Sequence, residues 1–529
     1  MFIPMKRHLW VMAAACATML HVDLVEAQLT DQTQTPNAER AGIFKSLEEQ
    51  IGAGVGNVNT PGSSSFIIAR DPARAVRRGR QLFQRKFTLV QGFGPRTQDG
   101  IGNIETARAI GAGLIESCAG CHGRPRGAAG FGGDVVTRPD SRDAPHLFGL
   151  GLQEMLGDEI TTELRNIRQS AIGEARSRRQ SVTRTLTSKG ISYGQIRARP
   201  DGSVDTSGVR GVNPDLRVRP FFAEGDTTSI REFVIGAFND EMGLQAVDNL
   251  TTQASAGARV TTPTGMVLNG ATDLVKHSLV ASPAEDVDRD GVVNEIPQSL
   301  VDFMEFYLFN YFKPAQYQHT NTGQIGQNLM QQIGCNTCHI PNLVINRDRR
   351  IADVETSYDP NRGIFNRMFA VASLLVGEND DGSGHPTLKV PLRNSFTVRN
   401  FYADLKRHDL GPNFYERNYD TTLQKEFMTE PLWGVGSSAP YGHDGRSINL
   451  MEVILRHGGE AQGARNNFAR LSSGSQNAII TFLNELVLFP PDDTASNLDP
   501  GDRNAPGFPQ RGHGSIRLPE LFNDPTELE

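Results

Sequence analysis

Cys118-Ala119-Gly120-Cys121-His122 returns in the second half of the chain as Cys335-Asn336-Thr337-Cys338-His339. Each copy is C-x-x-C-H, the attachment pattern of a c-type haem. The spacing has a chemical reason. Two thiols on one helical turn can form thioethers to the two vinyl carbons of one porphyrin, and the adjoining imidazole can reach the iron from the proximal side. A lone C-x-x-C also suits a zinc site or a redox pair. Two complete copies, each with its histidine, in a chain that starts like an exported one favour haem. Cys118, Cys121, Cys335 and Cys338 are therefore the expected anchors of two covalently bound haems. His122 and His339 are the expected proximal iron ligands.

The 529-residue chain has five cysteines, and the fifth, Cys16, lies near the N-terminus. There Lys6 and Arg7 precede an apolar run from Leu9 to Leu20, and Val25-Glu26-Ala27 offers the small residues a signal peptidase needs. Cleavage after Ala27 and a periplasmic location are expected. Ala13-Ala14-Ala15 before Cys16 also permits a lipoprotein signal, a reading weakened by the apolar residues beyond Cys16. The haem motifs use every remaining cysteine, so no disulfide is expected. No later stretch is apolar enough to span a bilayer. Hydrophobic residues at 38% and charged ones at 21% suit a soluble globular protein. A net charge of −7 gives no reason to expect nucleic acid as a partner.

Other landmarks come in pairs. Gly79-Arg80-Gln81-Leu82-Phe83 opens a helical pattern before the first motif, and Gly326-Gln327-Asn328-Leu329-Met330 opens one before the second. Pro145-His146-Leu147-Phe148-Gly149-Leu150-Gly151 is echoed by Pro431-Leu432-Trp433-Gly434-Val435-Gly436. These pairs predict an internal duplication, with a Gly-rich insertion at 92–113 in the first copy. The expected boundaries are a signal peptide at 1–27, a loose arm at 28–75, one haem domain at 76–313, a second at 314–490 and a loose tail at 491–529.

Between the motifs, Ser229 to Gly243 is the best-defined helix. Ser229 and Glu232 form a capping box, Ile230, Phe233, Val234, Ala237 and Phe238 recur at helical spacing, and Gly243 stops it. Glu241 stands at its end. Six arginines from Arg165 to Arg184 read as a solvated helix face rather than a docking patch. Asp286-Val287-Asp288-Arg289-Asp290-Gly291 has the alternating carboxylates and glycine that open a calcium loop, although Pro297 stands where such a loop has Glu. Asp286, Asp288 and Asp290 are candidate calcium ligands; the competing reading is an acidic turn. An aromatic helix follows, from Phe303 to Phe312. Beyond the second motif the chain offers His408, Met428, His443 and His457.

Taken together, the two C-x-x-C-H sites, Gly149-Leu150-Gly151-Leu152, Ala237 to Gly243, Asp286 to Gly291, Pro431-Leu432-Trp433-Gly434, His443-Asp444-Gly445-Arg446 and His457-Gly458-Gly459-Glu460 resemble the bacterial di-haem oxidoreductase family. That family, also labelled thiol oxidoreductases or peroxidases, is related to the bacterial di-haem cytochrome c peroxidases. The likeness runs from about residue 79 to 486. It implies a mainly α fold: two cytochrome c-like haem domains facing each other, with long loop insertions and a few short strands. It also implies a reactive N-terminal haem, an electron-relay C-terminal haem, a small electron-donor protein or small-molecule reductant, and peroxide or dioxygen as the oxidant. Rubber oxygenases share a similar plan. Related peroxidases pass electrons through a Trp between the haems, and of the two Trp here only Trp433 lies outside the signal peptide.

The sixth position on each iron decides function. For the reactive haem, Glu241 and His146 are candidates for moving the proton of a bound peroxide. For the relay haem, His457 ranks first because a Gly-Gly pair follows it, then Met428, then His443, with His408 also in reach. A non-catalytic electron-transfer cytochrome with both irons six-coordinate is the competing reading. An oxygenase acting on an apolar substrate is a third.

Overall fold

The computed structural model describes residues 47–93, 115–123, 134–135, 142–287, 291–293, 295–311, 313–316, 319–358, 368–417, 422–486 and 516–517. The leader, and Asp288 and Asp290 of the expected calcium loop, lie outside these residues. Asp286 is inside them, and its Oδ2 accepts the Gly291 N–H at 3.1 Å.

Eight helices position the two motifs: α1 (Pro72–Gln84), α2 (Cys118–His122), α3 (Leu150–Arg178), α4 (Ile230–Met242), α5 (Gln298–Asn310), α6 (Asn321–Gln332), α7 (Leu450–Arg456) and α8 (Ser473–Asn484). Helix α1 starts at a capping Asp71 with Pro72 in its first turn. The capping box at Ser229 and Glu232 opens α4 as the sequence predicts, and Gly243 closes it in the left-handed conformation. Every residue of α5 from Ser299 to Asn310 is buried, the mark of a helix enclosed on all sides.

The duplicated landmarks pack in duplicate. Helix α1 crosses α5 at Gly79, where a Cβ would lie 2.3 Å from the Phe303 carbonyl oxygen. Helix α6 crosses α8 at Gly326, where a Cβ would lie 1.9 Å from the Ala478 oxygen. A second glycine meets each of these partner helices further along. Gly151 sits against the Phe309 oxygen at 2.0 Å and Gly436 against the Asn484 oxygen at 2.4 Å. The step from Phe303 to Phe309 equals the step from Ala478 to Asn484. Only glycine allows backbones so near.

Helix α4 is fixed at its first turn. Arg231, fully buried, binds Asp302 and Glu305 of α5 at 2.9 and 2.7 Å and also Asp248. The neighbouring Ile230 N–H donates to Glu154 of α3 at 2.8 Å. These bonds set the direction in which α4 delivers Glu241.

The fold is mixed, which corrects the expectation of a mainly α chain built as two cytochrome c-like domains. Among the described residues, strands form eight small sheets, the widest of four strands. Strand β1 (Val182–Ser188) pairs with β2 (Ile191–Ala198) through a tight turn at Lys189 and Gly190, both with positive φ. Val182, Leu186, Ile191, Tyr193 and Ile196 fill the buried face of this hairpin. Arg184 therefore lies on a strand, and α3 ends at Arg178. Further strands, such as Ala352–Tyr358 with Met368–Leu374, occupy the stretch after the second motif. The main core is continuous across the chain. It packs Leu343, Ile345, Ile351, Phe401, Leu405 and Trp433 with residues from Ile67 to Tyr311. A smaller core gathers around α6 and α8.

Candidate functional site

The first motif forms the single turn of α2. Ser117 caps it, its Oγ accepting the Gly120 N–H at 3.1 Å. Gly120 is required because Ile115 fills the space a Cβ would take. Cys118 Sγ lies 3.8 Å from Met242 Sδ at the end of α4. Burial pushes the Cys118 thiol up to about 12. Burial pushes Cys121 up to about 11, and the Glu241 charge adds to this. Glu241 precedes Met242, the residue that meets Cys118. His122 Nδ1 is 2.6 Å from the Pro145 carbonyl oxygen. A carbonyl can only accept, so Nδ1 carries the proton and Nε2 carries the electron pair. That is how a metal-binding histidine is oriented from behind.

The second motif repeats this arrangement with a different acceptor. His339 Nδ1–H donates to the Tyr402 carbonyl oxygen at 3.0 Å. Tyr402 belongs to a buried strap from Phe401 to Leu405. Asn400, Tyr402 and Leu405 have φ of 56°, 53° and 53°, the left-handed region that costs a non-glycine residue about 1–2 kcal/mol. The strap is held to the segment after the motif by Phe401 N–H to Pro341 O at 2.8 Å and Ala403 N–H to Ile340 O at 3.2 Å. Strain kept in place by surrounding bonds fits a segment whose carbonyl must sit at one point.

The four ligand candidates of the second half separate clearly. His457 ends α7, and its Nδ1–H donates to Val453 O at 2.7 Å. Burial, with the nearby charges of His339 and Arg456, lowers it to about 4. It is a neutral imidazole with Nε2 as its basic nitrogen, in the electrostatic reach of His339. Met428 turns to the first half of the chain. Its N–H donates to Ala223 O at 2.8 Å, and its sulfur covers Gly225, where a Cβ would meet it at 2.5 Å. His443 stacks on Phe427 at 3.6 Å, with Nε2 3.4 Å from a Glu416 oxygen. His408 lies between Asp404 at 2.9 Å and Glu460 at 2.8 Å. Burial would lower its pKa, but the bonds to Asp404 and Cys338 push it up to about 11. Ligand atoms of Cys338, Asp404 and His408 lie within 4.8 Å of one another, close enough for an ion. Both His408 ring nitrogens donate to carboxylates, of Glu460 and Asp404, so neither keeps an electron pair for an ion, and the group is read as a paired cation.

His146 and Trp433 connect the segments whose carbonyls hold the two motif histidines. His146 Nε2–H donates to the Trp433 carbonyl oxygen at 2.9 Å, and burial lowers the imidazole to about 4. The Trp433 ring is buried, packs edge-on against Phe401 at 5.0 Å, and lies over Gly149, where a Cβ would be 2.8 Å from it. The residues of the two echoed landmarks thus touch each other. Aromatic rings continue from His146 through Phe148, Tyr311, Tyr307 and Phe83 to His122, with centroids 4.8 to 6.5 Å apart.

The side chains around the motifs suit a haem. Trp433 Nε1 and Gln84 Nε2 are buried without a hydrogen-bond partner among the described residues. Such donors commonly need an acceptor, and haem propionates supply carboxylate oxygens. His122 and His339 present Nε2, and the paired thiols stand beside them. Sequence reasoning found the histidines but not Pro145, Tyr402 or Phe401. A carbonyl that every residue possesses leaves no mark in a sequence.

The sequence model of the family described as "di-haem oxidoreductase, putative peroxidase" matches residues 370–486. The matched stretch holds His408, Met428, Trp433, His443 and His457 and lies after both motifs. No curated protein matches the chain.

Proposed function

From that match over residues 370–486, we propose that the chain is an exported di-haem c-type oxidoreductase of cytochrome c peroxidase-like activity. One observation carries the reading: two C-x-x-C-H histidines, each with Nδ1–H fixed on a backbone carbonyl, joined through Trp433. Bound haem would supply the iron that exchanges electrons with a donor and with peroxide or dioxygen. The residues have separate tasks. Cys118 and Cys121, and Cys335 and Cys338, would hold the two groups by thioethers. His122 and His339, with Nδ1 held on a carbonyl, would offer Nε2 to the two irons. His457, neutral and within the electrostatic reach of His339, would offer Nε2 to the iron of the C-terminal group, which would suit that group to relay. Glu241, next to Met242 at the end of α4, takes and returns a proton at the substrate oxygen. A small donor protein or small-molecule reductant supplies electrons.

The test is spectroscopic. The purified mature chain should contain two c-type haems by pyridine haemochrome assay and intact mass. Electron paramagnetic resonance should give one high-spin and one low-spin ferric signal. His457→Ala should convert the low-spin signal to high-spin without loss of haem. Zinc in place of haem, or a single haem, would refute the proposal. Two low-spin ferric signals in the oxidised protein, with no high-spin signal appearing on half-reduction and no peroxide turnover, would favour a carrier.

A further inference from the structure

We infer that His146 is a positioning residue that fastens the two haem sites together from their proximal sides, rather than a proton carrier at the first. The inference rests on the haem reading above. The imidazole edge that meets iron is Nε2, and Nδ1 faces the other way. The Pro145 carbonyl takes the His122 Nδ1–H at 2.6 Å, so the Pro145–His146 peptide stands behind the first proximal ring. A group that serves a bound oxidant must stand on the opposite face.

What His146 does instead is visible in its bonds. Its Nε2–H holds the Trp433 carbonyl at 2.9 Å, and its ring stacks on Phe148 at 5.6 Å and 29°. Trp433 packs against Phe401, the neighbour of Tyr402, whose carbonyl fixes His339. One hydrogen bond therefore joins the peptide that orients the first proximal imidazole to the wall beside the peptide that orients the second. Its ends are 287 residues apart in sequence. Gly149 contributes by leaving room for the Trp433 ring. Burial keeps the His146 imidazole neutral, so the bond persists without a change of charge near the haems.

The experiment compares His146→Phe and His146→Gln in the haem-loaded full-length protein. Phenylalanine keeps an aromatic ring but cannot donate. Glutamine can reach the Trp433 carbonyl with an amide N–H. The positioning role predicts that His146→Phe shifts and broadens the electron paramagnetic resonance signals of both ferric centres, and that His146→Gln restores them. The second-order rate with hydrogen peroxide should change by less than about twofold in His146→Phe. A proton carrier would instead lose about a hundredfold in that rate with both signals unchanged. That result, or unchanged signals with an unchanged rate, overturns the inference. If His146→Phe fails to take up haem, His146→Gln decides: wild-type loading and signals support the role, and failure of both overturns it. If the wild-type protein does not react with peroxide, the peroxidase reading fails, and the two resonance signals still decide the role of His146.

Discussion

Glu154 is a carboxyl enclosed by protein, 1% exposed, that accepts the Ile230 N–H at 2.8 Å and an Arg349 N–H at 3.2 Å. Burial pushes its pKa up to about 7, against the pull of Arg349. A folded-state pKa above the unfolded value means that the folded protein holds the proton more tightly. The associated stability is complete below about 4.5 and is lost as pH rises through about 7. At 1.36 kcal/mol per pKa unit, the loss is at most about 3 kcal/mol. Glu154→Gln cannot ionise, so its stability relative to the wild type should rise between pH 5 and pH 8. Chemical denaturation of both proteins across that range measures this, and a difference that stays flat with pH would remove Glu154 as the cause. Residue-level features with local causes were legible in the sequence. Ser229 and Glu232 cap α4 because their partners lie within one turn. The choice among His408, His443 and His457 was not settled there. It depends on Asp404, Glu416, Glu460 and Val453, and those partners are brought in by tertiary packing.

At the scale of elements, the two glycine crossings carry the duplication. A methyl at Gly326 would press on the Ala478 carbonyl and force α6 and α8 apart. Gly326→Ala should destabilise the protein by about 3 kcal/mol, at the upper end of ordinary overpacking. Because α6 leads into Cys335, the signal of the second haem should change and that of the first should not. Gly173 of α3 is the control, with nothing within 4 Å of a Cβ. Gly173→Ala should stabilise by up to about 1 kcal/mol, as expected for Ala in a helix interior. Equal losses in both variants, read from thermal and denaturant unfolding, would show that the close approach at Gly326 is not what matters there. The paired glycines could be read from the sequence because the landmarks around them repeat. The strands could not all be read so. The alternation of Val182 to Ala198 was masked by a run of arginines assigned to one helix face. The strand Ala352–Tyr358 is completed by Lys313 and Gln316, which no local pattern announces.

For the whole molecule, the two halves share one main core and are also tied at their rims. Arg70, buried near the N-terminus, bonds Asp381, Ser383 and the Pro386 carbonyl, together with Val58 and Asn59. That contact holds the Asp381 carboxyl well below the usual range. A chain of residues 28–316 would therefore lack Leu343, Phe401, Leu405 and Trp433 from its core. It should form a loosely packed state that binds hydrophobic dye, whereas the intact protein unfolds in one transition by circular dichroism and by haem absorbance. A tightly folded 28–316 fragment with native near-ultraviolet dichroism would contradict this. The histidine bonds also carry an order in time. His122 meets its acceptor 23 residues later, His339 meets its own 63 residues later, and His146 waits 287 residues for Trp433. A polypeptide delivered from its N-terminus completes its first proximal site early, its second much later, and the tie between them after both motifs have emerged. Biogenesis then runs along the same line as the sequence, and a chain interrupted between Tyr402 and Trp433 would hold both acceptor carbonyls with nothing to join them.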